Sequence, residues 1–138
     1  PPWGAVSSAG NNAMAMQCIY VALGGALGAV GRYLMGFVPF LPKSSFPAAT
    51  LLVNLIGAVL TGMIAQIAAQ KGLENSGAVL FLKVGVCGGF TTFSSFSLEA
   101  VSLFSAGKTA LGTAYIALSV ALCLLGVLLG QWLGQKLA

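Results

Sequence analysis

Five hydroxyl side chains and three phenylalanines are packed into residues 88–97, reading Gly-Gly-Phe-Thr-Thr-Phe-Ser-Ser-Phe-Ser, in the middle of a long apolar segment. In a membrane, such side chains are out of place unless used, and they mark this stretch as the functional centre of the chain. The same stretch resists helix formation, because paired glycines lose the most backbone entropy on becoming helical and Thr-Thr is stiff at χ1. A helix broken over residues 88–92 is therefore expected. Inside lipid, carbonyls freed by a break are tolerated only where they meet protein, an ion or water.

Elsewhere, small and polar residues fall on narrow seams at helical spacing. Gly24, Gly28, Gly31 and Arg32 share one face, and Thr50, Asn54, Gly57, Ala58, Thr61 and Ala65 share a second. A third carries Gly112, Tyr115, Ser119, Cys123, Gly126, Gly130 and Gly134. Close helix packing accounts for the glycines, since small residues let backbones approach. Asn54, Tyr115 and Ser119 add donors where packing alone could have used Gly or Ala, and a polar group deep in a bilayer is costly without a use. Interhelical hydrogen bonding is the competing use for them.

The elements that position these groups are membrane spans. The chain has 138 residues, 58% hydrophobic and 6% charged, against about 25% charged in a soluble domain. Four apolar segments, 18–38, 46–70, 77–105 and 109–133, each have at least the roughly 20 residues that cross a bilayer. Pro39, Pro42 and Pro47, then Lys-Gly-Leu-Glu-Asn-Ser-Gly, then Ala-Gly-Lys mark the turns. Residues 1–16 read as a flexible tail or expression remnant, with Met14 or Met16 as candidate natural starts, and 17–138 as one transmembrane domain. The fold class is an all-α membrane protein of four helices, the third broken.

Several functions are disfavoured. The six basic residues are too dispersed for a nucleic-acid surface. Glu74 and Glu99 are far apart and histidine is absent, so general acid–base catalysis lacks its usual groups. Cys18, Cys87 and Cys123 lie in apolar sequence without metal-ligand spacing and read as small buried hydrophobes.

Lys71, Lys83 and Lys136 fall on one side of the membrane, and Arg32, Lys43 and Lys108 on the other. Orientation follows Lys/Arg asymmetry, so a chain this balanced is able to insert both ways. Two oppositely inserted copies form an antiparallel two-fold dimer in which each broken helix meets its own copy. Facing orphan carbonyls there would make an oxygen-lined cation site without a carboxylate.

Three motifs carry a resemblance: GGALGAVGRY at 24–33, TLLVNLIGAVLTG at 50–62 and GVCGGFTTFSSFS at 85–97. On these the chain resembles the Fluc (CrcB) fluoride channels, small four-helix proteins of the cell membrane. The resemblance implies a dual-topology homodimer that passively and selectively exports fluoride, relieving its toxicity. It implies that Phe93 and Phe96 are pore phenylalanines and that Asn54 is the pore asparagine, with Thr50 one turn away and Ser95 a further pore hydroxyl. Tyr115 and Ser119 match a hydroxyl track, which Cys123 continues with a weaker donor. Gly88 and Thr91 match residues whose backbone carbonyls hold a structural sodium ion at the dimer interface.

Fluoride is small and strongly hydrated, so a path for it must offer several donors and few acceptors, each weak enough to let go. Arg32 could draw anions to a mouth or anchor the membrane interface. Glu99, which would repel an anion if ionised beside the path, is expected at a helix end near Lys108. The rival function is a proton-coupled small multidrug or guanidinium exporter, also an antiparallel dimer, but that mechanism needs a glutamate in the first span and none is present. A purely structural membrane protein would explain the glycine seams but neither the donors nor the break.

Overall fold

In an apolar surrounding a backbone must satisfy its own polar groups, and helix is the local way to do so. The computed structural model, which describes residues 8–39 and 41–138, is helical in every element among them. Helix α1 runs Ser8–Met35 and α2 runs Ala48–Lys71. The third span is built in pieces: α3 (Gly77–Val79), a π-helical stretch (Leu80–Cys87), α4 (Gly88–Phe90) and α5 (Phe93–Ser105). The last helix, α6, is Thr109–Leu137. All four spans are long and apolar enough to cross a membrane, with mean hydropathies of 1.7, 2.0, 1.4 and 2.2 in chain order.

The first helix starts earlier than the span expected from residue 18. Residues 8–16 of the expected tail are helical, because their alanines and methionines are good helix formers and extending a formed helix adds one bond for each residue fixed. The rest of that tail, residues 1–7, lies outside the described residues.

Two helix pairs carry the packing, α1 against the third span and α2 against α6. Glycine makes both possible. A Cβ on Gly28 would overlap the Val86 carbonyl oxygen and lie 2.7 Å from Phe90 N, and one on Gly130 would overlap the Val59 carbonyl oxygen. Gly24, Gly28, Gly126, Gly130 and Gly134 are buried, as the small-residue seams predict. The seam of α2 divides. Gly57 is buried, whereas Thr50, Asn54, Ala58, Thr61 and Ala65 are half-buried because they line cavities or the edge of the packing.

The turns follow from their residues. Gly72 ends α2 at φ 63° and donates its N–H to Ala68 O, and Ser76 caps α3 by accepting the Val79 N–H. At the other end of the bundle, Lys108 Nζ donates to Ser45 Oγ at 2.5 Å, tying the α5–α6 turn to the α1–α2 loop. The cysteines divide as well. Cys87 is buried, Cys123 half-buried and Cys18 exposed, so the buried reading is corrected for Cys18, which stands on the outward apolar face of α1.

Candidate functional site

The break falls later than the glycines. Gly88 and Gly89 remain helical, and the chain opens at Thr91 (φ −77°, ψ 154°) and Thr92 (φ −148°, ψ 115°). Packing explains the difference, since a Cβ on Gly89 would come 3.0 Å from Gly25 Cα, so glycine is kept there for closeness to α1. The threonines, favouring extended backbone and able to bond locally, take the break instead. Upstream, the Gly88 N–H reaches Lys83 O, five residues back, the signature of the π-helical winding.

Each polar group at the break has a definite arrangement. Thr92 N–H donates to Asn54 Oδ1 at 2.7 Å, and Asn54 Nδ2 donates to Thr92 O at 3.1 Å. Arg32 Nε donates to Gly89 O at 3.1 Å, from a position 57 residues away in sequence. Thr92 Oγ1 caps α5 by accepting the Ser95 N–H at 3.1 Å. Two consequences follow. The amide that would pair with Gly88 O in an unbroken helix, that of Thr92, is taken by Asn54, and the one that would pair with Thr91 O, that of Ser95, is taken by Thr92 Oγ1.

Below the break, a cavity of about 410 Å³ opens between α2, the third span and α6, and Asn54, Thr61, Phe93, Phe96, Ser119 and Cys123 are among its lining. Phe96 is 9% exposed and packs its ring 5.4 Å from that of Phe93 and 5.2 Å from that of Tyr115. Phe93 is 78% exposed, an apolar ring standing on the open side of the cavity. Ser119 Oγ is buried and has no hydrogen-bond partner.

A second cavity of about 230 Å³ is lined by Arg32, Thr50, Thr92, Ser95 and Glu99 among others. Here the structure corrects the expectation for Glu99. Its carboxylate does not pair with Lys108, which bonds Ser45. It accepts from Thr50 Oγ1 at 2.7 Å and Tyr115 Oη at 2.6 Å. A carboxylate held among packed helices needs donors, and two hydroxyls from α2 and α6 lie closer than an exposed lysine at the turn.

The residues singled out in the sequence therefore gather into two neighbouring groups. Asn54, Phe93, Phe96, Ser119 and Thr91 surround the larger cavity, and Arg32, Thr50, Ser95 and Glu99 the smaller, with Tyr115 fully buried between Phe96 and Glu99. Gly88 is exposed, in the helical turn just before the break. Thr92 was expected as part of the break but missed as a site residue, because its clamp to Asn54 depends on a partner 38 residues away.

Fold and site together define a small four-span membrane protein whose interrupted third helix is clamped to a donor-lined cavity. Comparison with known proteins narrows the class. The family model for CrcB-like protein, Camphor Resistance (CrcB), matches residues 19–131. The chain is 45% identical over 124 residues to the fluoride-specific ion channel FluC of Ruminiclostridium cellulolyticum, covering 89% of this chain and 95% of that one. It is 44% identical over 119 residues to the FluC of Cereibacter sphaeroides, covering 86% and 94%. To the FluC of Clostridium novyi it is 41% identical over 118 residues, covering 85% and 92%. The chain belongs to the CrcB family.

Proposed function

We propose that this protein is a passive, fluoride-selective channel of the cell membrane. The observation that carries the reading is the larger cavity, where the Asn54 amide, the Phe96 ring and the unpartnered Ser119 hydroxyl converge and no carboxylate is among the lining residues. An amide NH₂ has two hydrogens and Thr92 O takes one, which leaves the other for an anion in the cavity. Modest donors and ring rims replace hydration without trapping the ion as a fixed cation would. The fluoride channels named among its relatives support the same reading.

The working unit proposed is an antiparallel homodimer, with a structural sodium ion between the two breaks. Support comes from the balanced basic residues and from the Gly88 and Thr91 carbonyls, each of which has lost its helical donor. Carbonyl oxygens suit a hard cation. Residues 17–138 would form the channel domain.

Fluoride efflux from proteoliposomes tests the function. Rapid fluoride flux without chloride flux, indifferent to a proton gradient, is expected, with Phe96→Ala and Asn54→Ala sharply slower per folded dimer. Gradient-driven uptake of a guanidinium ion with no fluoride flux would establish the exporter instead.

A further inference from the structure

Among the described residues, Thr92 alone lines both cavities. It is 9% exposed. Its backbone is pinned at both ends of the peptide by Asn54, so the residue has little freedom to move as a whole. Its hydroxyl is freer. Oγ1 donates to Ser95 Oγ at 3.1 Å and lies 3.2 Å from Ser94 Oγ, either of which could donate in that contact. A hydroxyl hydrogen turns about its C–O bond to suit its acceptor. Within the larger cavity the buried Ser119 Oγ lacks any partner, and an orphan hydroxyl in a buried site marks a place where something that accepts a hydrogen bond belongs.

Resting on the fluoride-channel reading, we infer that Thr92 is the hand-over donor between the two cavities. Its O–H turns from Ser95 Oγ to a fluoride ion leaving the smaller cavity, where Arg32 stands and the Glu99 carboxylate is engaged by Thr50 and Tyr115, and releases it toward Asn54 and Ser119. Without a donor at the junction the ion would cross between two donor sets incompletely solvated, which is the costly part of any passage. Ser94 and Ser95 give the rotated hydroxyl partners to return to once the ion has moved on.

The position also caps α5, so the test must separate capping from conduction. Serine keeps both hydroxyl and cap. Aspartate keeps the cap but places a carboxylate at the junction, and valine keeps the shape but loses both. Fluoride efflux is measured at matched amounts of folded dimer in proteoliposomes. Thr92→Ser is expected to recover most of the wild-type flux, while Thr92→Asp and Thr92→Val lose roughly tenfold to hundredfold, the worth of one hydrogen bond to an ion. If capping were the whole role, Thr92→Asp would conduct like Thr92→Ser, and that result overturns the inference even where the valine variant fails to fold. Absence of fluoride flux from the wild type would instead defeat the channel reading beneath it.

Discussion

At Asn54 one side chain takes over the hydrogen bonds that a turn of helix would have made, accepting from Thr92 N–H and donating to Thr92 O. A carboxamide does both at once through separate atoms, Oδ1 accepting and Nδ2 donating. Asn54→Ala strands two backbone groups in the membrane interior, each costing about 1–3 kcal/mol, whereas Asn54→Asp keeps the acceptor but sets an oxygen against the Thr92 carbonyl. Both variants should lose fluoride flux, and Asn54→Asp should lose more of it for the same loss of folded protein in detergent, because it also adds an acceptor to an anion's route. Equal flux per folded dimer in the two would remove Asn54 from the conduction path. Glu99 poses the complementary case, a carboxylate held by Thr50 and Tyr115. Deleting either hydroxyl, by Thr50→Val or Tyr115→Phe, leaves the other to carry it, so the two losses should not add. A double-mutant cycle on the stability of the folded protein is expected to return a coupling of about 0.5–3 kcal/mol, the range for residues sharing one partner. Coupling indistinguishable from zero would show that the two hydroxyls act on Glu99 independently.

The third span depends on being close to α1, and its glycines show where. Gly28 has the Val86 and Phe90 backbones against the site of its missing Cβ, while Gly25, one turn earlier on the helix, has nothing within 4 Å of the same atom. Backbone cannot step aside as a flexible side chain can. Gly28→Ala should therefore cost about 1–3 kcal/mol or more by overpacking and deplete folded protein, and Gly25→Ala should leave folded protein and flux near wild type. Comparable elution profiles for both variants would show that the contact between α1 and the third span is looser than described. The small-residue seams were readable from spacing because burial follows the helical period. The exact site of the break was not, since the glycines favour unwinding locally while their fit against α1 keeps them helical. Nor was the π-helical stretch over Leu80–Cys87 visible, as nothing in an apolar run distinguishes the two windings. Glu99 was misplaced for a related reason. Its partners stand 49 and 16 residues away on other helices, and the nearer charge in sequence, Lys108, is drawn to Ser45.

Taken as a whole, the chain carries an orientation problem that its function, on the proposed reading, turns to use. The Lys108 contact with Ser45 places the α1–α2 loop and the α5–α6 turn at one end, and the start of α1 and the end of α6 share the other with the α2–α3 turn by the parity of four spans. Lys43 and Lys108 are exposed at the first end, Lys71 and Lys136 at the second. Because Lys/Arg asymmetry sets insertion, small additions should tip the balance. Ser44→Arg with Pro42→Lys loads one end; Asn75→Arg with Gln70→Lys loads the other. Either biased variant expressed alone should reach the membrane mostly in one orientation, read by the accessibility of a terminal tag, and should pass little fluoride. Expressed together, the two should restore flux toward wild type, because opposite copies can again bring their breaks face to face. Full fluoride flux from a variant held in one orientation would rule out the antiparallel pair, and with it the sodium site formed by carbonyls from two copies.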